Sequence, residues 1–203
     1  MKKKAVFLDR DGTLNRDVGY PDSFESVHVY PFGYEAVRLL NRAHFLAVIV
    51  TNQSGIARGL ISEERLSLLH DQMKADFHLK GARIDAIYAC PHSPSSLDTR
   101  YKKECPCRKP LPAMGLAAAA DLNIDLSRSY MIGDKTSDIL FGLNMGATPV
   151  LVRTGYGHQA EQELLNSGRR PAFAAETLLQ AVFWILDREG IHRDRGTKSG
   201  QEK

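Results

Sequence analysis

Short apolar runs rich in β-branched residues alternate along this chain with longer stretches of helical character, and that alternation constrains the fold more than any other feature. Strands are predicted over 5–8, 46–50, 84–88, 129–132 and 149–152, with a weak edge near 172–173. Helices are predicted over 33–43, 62–80, 112–122, 136–145 and 174–188. Ser62 followed by Glu63 and Glu64 makes a good helix start, and Pro112 suits a first helical turn. Strand and helix in turn require crossover connections. The expected class is therefore α/β, with one doubly wound, mainly parallel, Rossmann-like sheet and helices on both faces. Ligands of such sheets collect at the carboxyl ends of the strands. Neither a repeat nor a linker divides the chain, so one domain is expected over 1–189, with a polar, flexible tail at 190–203.

A length of 203 residues supports one well-packed core. A net charge of +3 is too small to argue for a nucleic-acid or membrane partner. The start Met1-Lys2-Lys3-Lys4 has the charge of a signal sequence, but the apolar run behind it meets Asp9 after four residues. No other stretch approaches a membrane span, and a cytoplasmic location is expected.

Four segments carry chemistry. Asp9-Arg10-Asp11-Gly12-Thr13 follows the first strand directly, and Gly12 lets two carboxylates at i and i+2 bend toward one ligand. An Asp-Gly hairpin is the plain alternative, but the residues that follow, 15–26, are polar and turn-rich rather than a second strand. Thr51-Asn52-Gln53-Ser54-Gly55 ends the second strand with a hydroxyl, amides and a glycine turn suited to phosphate oxygens. Arg108-Lys109-Pro110 offers two cations, which in isolation read as a solvated pair. Gly133-Asp134-Lys135-Thr136-Ser137-Asp138 follows the fourth strand, with one aspartate available to cap the next helix and the other left for a different task. Several carboxylates with few other protein ligands suit magnesium, which binds one or two of them together with substrate phosphate. A lysine beside them would neutralise phosphoryl charge.

This set, DRDGT, TNQSG, the lysine of RKP and GDKTSD in that order, resembles the haloacid dehalogenase-like phosphohydrolases over residues 5–152. The resemblance implies that Asp9 attacks phosphorus and that Asp11 protonates the leaving oxygen, then activates water. It also implies that Asp9, Asp134 and the main-chain carbonyl of Asp11 hold magnesium, while Thr51 and Lys109 fix the phosphoryl group. Asp138 would support the site from behind. Dehalogenating members lack the second carboxylate of the pair, so Asp11 points to phosphatase chemistry.

Three cysteines fall within eighteen residues. Cys90 and His92, then Cys105 and Cys107, supply three sulfurs and an imidazole, which matches a closed structural zinc site. A strained Cys105–Cys107 disulfide and free thiols are the alternatives. Zinc would order the proline-rich loop at 89–108 and hold Arg108 and Lys109 toward the phosphate. This loop resembles a narrower group, the heptose-bisphosphate and histidinol-phosphate phosphatases. Only 37 residues separate Thr13 from Thr51 and 56 separate Thr51 from Arg108, so no cap domain fits and the site is expected to be open. Asp17, Val18, Gly19 and Tyr20, with Asn52, Gln53, Ser54, Arg108 and Lys135 beside Thr51 and Lys109, resemble substrate-contacting positions of the heptose enzymes. The expected substrate is a small-molecule sugar bisphosphate, its 7-phosphate removed by a monomeric enzyme in lipopolysaccharide-core synthesis. Histidinol phosphate is the rival substrate, and an inactive zinc-stabilised binding module the rival class.

Overall fold

Six strands run parallel in one sheet: β1 (Ala5–Leu8), β2 (Leu46–Asn52), β3 (Ala86–Cys90), β4 (Tyr130–Gly133), β5 (Thr148–Val152) and β6 (Phe173–Ala175). Their order is β3-β2-β1-β4-β5-β6. The computed structural model describes residues 2–191, so the stretch 192–203 of the expected tail lies outside the described residues. Helices α1 (Pro31–Arg42), α2 (Ser54–Ala57), α3 (Glu63–Leu79), α4 (Ala113–Leu122), α5 (Thr136–Met145) and α6 (Gly157–Asn166) lie between the strands, and α7 (Leu178–Arg188) follows β6.

The side-chain alternation of β1 shows why the sheet is covered twice. Val6 and Leu8 enter one core with Val37 and Leu40 of α1, Met73 of α3 and Val182 and Ile185 of α7. Ala5 and Phe7 enter the other with Met114 and Ala118 of α4 and Phe141 and Met145 of α5. Burying each large apolar side chain contributes about 1.5–3 kcal/mol, and a strand apolar on both faces has no stable place at an edge. The sequence order reverses between β1 and β4, which opens a crevice at their carboxyl ends.

Most predicted elements recur, and the departures have physical reasons. β3 starts two residues later than predicted, because Ile84 packs into the core before the ladder with β2 begins at Ala86. α7 starts at Leu178 rather than 174, because Ala174 and Ala175 pair with Leu151 and Val152. α6 was not predicted; its inward positions are only Gly157, Ala160 and Leu164, a weak apolar stripe. Ser62 caps α3 by accepting from the Arg65 N–H at 3.2 Å, and Pro112 precedes α4 rather than opening it. Between Thr13 and Thr51 lies α1 with a short 3₁₀ turn, and between Thr51 and Arg108 lie α2, α3 and β3. Neither interval holds a cap domain.

Candidate active site

Asp9 continues β1 by one residue, its N–H donating to the Ile132 carbonyl of β4 at 2.9 Å. The chain then turns: Leu14 and Asn15 both donate to the Arg10 carbonyl, and Gly12 takes a left-handed φ of +93°. A side chain at Gly12 would overlap the Asp134 carboxylate, so glycine is required there for space as well as for φ. A hollow of about 40 Å³ results, lined by Asp9, Asp11, Thr51, Asn52, Lys109 and Lys135, with Ser137 and Asp138. A larger hollow of about 630 Å³ between the start of α3 and the loop at Tyr101 contains none of these groups.

Lys109 is the centre of charge in this hollow. Its Nζ lies 2.6 Å from Asp9 Oδ1, 2.7 Å from Asp138 Oδ1 and 2.9 Å from the Val50 carbonyl. Burial opposes the ammonium charge, but Asp138 and Asp9 outweigh it and hold Lys109 above its usual range. Burial also raises Asp9, to about 6 against the pull of Lys109, and it raises Asp134 to about 8 with Asp9 as the next cause. Carboxylate oxygens of Asp9, Asp134 and Asp138 lie within 4.8 Å of one another, all buried. So many hard oxygens crowded together are stable as carboxylates only beside added positive charge, and this donor set fits a magnesium ion. Asp138 also turns its Oδ2 to the Lys135 N–H at 3.0 Å, so it both starts α5 and braces Lys109.

Asp11 is held differently. Burial would raise it, but the Arg10 charge and the hydrogen bonds of Arg10, Asn15 and Gln53 prevail and keep it below the usual carboxylate range. Arg10 donates through Nε and Nη2 at 2.8–3.1 Å, Asn15 Nδ2 at 2.9 Å and Gln53 Nε2 at 2.9 Å. The guanidinium is itself fully buried, with Nη1 3.2 Å from His70 Nε2 and Nη2 3.1 Å from Gln53 Oε1. Burial and the Arg10 charge push His70 down to about 3, so its ring is neutral and accepts.

The other predicted site residues divide. Thr51 lines the hollow, its Oγ1 accepting from Gln53 Nε2 at 2.8 Å. Asn52 clasps the Lys109 backbone with two hydrogen bonds of 3.1 and 3.0 Å, which places it as a tether for the lysine. Ser54 opens α2. Asp17 and Lys135 meet at 3.3 Å, while Val18, Gly19 and Tyr20 are exposed at the rim. The Tyr20 ring packs by Gly55 with the Arg58 guanidinium 5.8 Å away. Arg108 is not brought into the hollow; its Nη1 donates to the His92 carbonyl at 3.0 Å and braces the loop instead.

Cys90, His92, Cys105 and Cys107 converge at the end of β3. Cys107 Sγ lies 2.8 Å from Cys90 Sγ, 2.7 Å from Cys105 Sγ and 3.5 Å from His92 Nδ1, and none of the cysteines is in a disulfide. Four donors within 4.8 Å, three of them sulfur, fit a tetrahedral zinc ion.

Sequence reasoning passed over Arg10 and His70 as supports of Asp11, and the whole segment 153–157 after β5. Tyr156 N–H donates to Asp134 Oδ2 at 2.9 Å, and a side chain at Gly155 would overlap the same oxygen. No residue type in that segment marks it in the sequence, because a glycine and a backbone N–H offer no chemical group to read.

Comparison with known proteins places the chain in a family. The profile of a family described as HAD-hydrolase-like matches residues 106–181. A D-glycero-beta-D-manno-heptose-1,7-bisphosphate 7-phosphatase of Vibrio cholerae is 47% identical over 156 residues, 76% of this chain and 84% of the relative. An Escherichia coli protein of the same name is 42% identical over 153 residues, 74% of this chain and 80% of its own. Among solved structures, a D,D-heptose 1,7-bisphosphate phosphatase from B. bronchiseptica, complexed with magnesium and phosphate, superposes with a TM-score of 0.79 at 33% identity. The superposition covers 91% of this chain and 99% of that one.

Proposed function

Since the chain belongs to the haloacid dehalogenase-like hydrolases, in the family of the heptose-1,7-bisphosphate 7-phosphatases, we propose the following roles for its buried acids and lysine in removing the 7-phosphate of D-glycero-D-manno-heptose 1,7-bisphosphate. The observation that carries this reading is the meeting of Asp9, Lys109 and Asp138 at the carboxyl ends of the central strands, with Asp11 on the same turn.

Asp9 Oδ attacks phosphorus, and the bond to the departing sugar oxygen breaks as the aspartyl-phosphate forms. To act as acid, Asp11 must first leave the contacts of Arg10, Asn15 and Gln53 that hold it as a carboxylate. Freed and protonated, it delivers the proton to that oxygen, then takes one from the water that hydrolyses the acyl phosphate. Thr51 Oγ1 and Lys109 hold phosphoryl oxygens, the ammonium turning its Asp9 donor to the incoming group while Asp138, the Val50 carbonyl and Asn52 keep it in place. Asp9, Asp134 and the Asp11 carbonyl would hold a magnesium ion, which supplies charge neutralisation for the phosphoryl group when bound. Lys135, Asp17, Val18, Gly19, Tyr20, Gln53 and Ser54 form the surroundings that the sugar and its second phosphate would meet, while Arg108 braces the loop behind Lys109. Cys90, His92, Cys105 and Cys107 would hold a zinc ion that fixes the loop carrying Lys109, with no open position for chemistry. This activity would serve synthesis of the nucleotide-activated heptose of lipopolysaccharide core in the cytoplasm. Residues 1–189 would form the catalytic domain, acting as a monomer.

The test is phosphate release with magnesium from the heptose 1,7-bisphosphate and from histidinol phosphate, side by side. A preference for the bisphosphate is expected; a preference for histidinol phosphate overturns the substrate assignment, and no release from either ester overturns the reading as an enzyme.

A further inference from the structure

The connection between β5 and α6, residues 153–157, lies outside all four motifs, yet it closes over the carboxylate at the end of β4. Gly155 has φ +57°. A Cβ on it would overlap Asp134 Oδ2 and come within 2.8 Å of Gly12 Cα. The next N–H, that of Tyr156, donates to the same Oδ2 at 2.9 Å. Gly12, which adjoins Gly155, has no room for a Cβ against the same oxygen. The Asp134 carboxylate thus lies against two adjoining glycines from different strand ends, one oxygen fixed by a backbone donor. Its other oxygen faces Thr13 Oγ1 at 3.4 Å.

The connection is anchored from outside. Arg153 reaches Glu161 of α6 with two hydrogen bonds of 2.8 Å and Glu176 with one of 2.7 Å. Gly157 has no room for a Cβ against the Val152 carbonyl, which sets how α6 leaves the strand. The Tyr156 ring lies 5.0 Å from Lys135 Nζ, so the same few residues touch two groups of the fourth motif.

We infer that residues 153–157 are a positioning element for the divalent cation, in which the absent side chain of Gly155 and the Tyr156 N–H aim the Asp134 carboxylate. This inference rests on the reading that Asp9 and Asp134 hold a cation. Groups that orient metal ligands typically affect affinity by about ten- to a hundredfold.

The experiment measures Mn2+ affinity of the full chain without substrate, following free Mn2+ by electron paramagnetic resonance. Gly155→Ala is compared with Gly168→Ala, which shares the left-handed backbone (φ +69°) but meets nothing within 4 Å. Expected is a loss of about tenfold or more in Gly155→Ala and none in Gly168→Ala. Wild-type affinity in a folded Gly155→Ala protein, or an equal loss in both variants, overturns the inference. Should Gly155→Ala not fold, Arg153→Met decides: it removes the outer anchor, a weaker affinity supports the inference, and an unchanged one overturns it. Asp134→Asn separates the two levels. If it leaves Mn2+ binding intact, the cation reading fails and takes the inference with it. If it abolishes binding while Gly155→Ala does not weaken it, the inference alone fails.

Discussion

Lys109 and Asp9 are one hundred residues apart in the chain and 2.6 Å apart in the fold. The ammonium has three donors, and Asp9, Asp138 and the Val50 carbonyl meet all three. Buried ion pairs contribute little when intact but cost much when one partner is removed. Lys109 therefore joins architecture to chemistry.

Lys109→Met leaves two buried carboxylates facing each other without a counter-charge. The expected loss is about 3–5 kcal/mol of unfolding free energy, with turnover down on the order of a hundredfold or more. Urea denaturation with and without Mg2+ checks the first part, since added cation should restore some of the loss. Wild-type stability in Lys109→Met would show that the pair carries no structural weight.

Asp9→Asn keeps the shape and removes the proposed nucleophile. Turnover should fall on the order of a thousandfold or more, while thermal unfolding stays near wild type or rises, because one like charge leaves the Asp134 and Asp138 cluster. Phosphate release and a melting curve on one preparation decide it; an unchanged rate rules out Asp9 as attacking group.

Cys105→Ala should leave the chain without bound zinc and open the loop before Lys109 to limited proteolysis. Turnover is expected to fall by about tenfold through misplacement of the lysine. Metal analysis beside the activity assay is the check, and full activity in a zinc-free protein would show that the four donors have no structural task.

His70 makes stability depend on pH. Its folded value is about 3 and its unfolded value 6.5, so above pH 6.5 both states are neutral and the group adds no dependence. As pH falls through 6.5, the unfolded chain takes a proton that the folded chain refuses until about pH 3. Stability is therefore lost on acidification, by up to about 1.4 kcal/mol per pH unit. His70→Gln retains an acceptor for Arg10 and cannot titrate, so denaturation midpoints between pH 6.5 and 4 should fall less steeply than in wild type. Equal slopes would show that His70 charges freely in the folded protein.

Strand ends were legible because apolar runs stop abruptly at polar, glycine-bearing segments, and parallel strands deliver those segments to one edge. Asp9, Asp11, Thr51 and Asp134 could be read that way. Lys109 could not be placed by local pattern, since its position depends on a long loop and the Asn52 clasp. Arg10 was hidden between two acids, and its partner His70 looks like any helical residue until α3 is packed. Ala174 and Ala175 read as helix by propensity, and pairing with β5 overrides it. Gly155 was missed because the absence of a side chain leaves no chemical signal; only the closeness of Asp134 reveals the need for it.

All four residues of β1 are fully buried, Val6, Phe7 and Leu8 are laddered to strands on both sides, and the proposed nucleophile is the next residue along. Backbone of that kind exchanges its amide hydrogens only when the whole domain opens, whereas exposed loops such as that of Val18 and Tyr20 open at little cost. The proposed reacting atom and the loop proposed to meet the leaving group thus belong to opposite ends of the range of local opening energies. Mutation can rewrite the loops, and with them the accepted sugar, while the aspartate keeps its place, so a lineage can change its substrate without relearning its reaction.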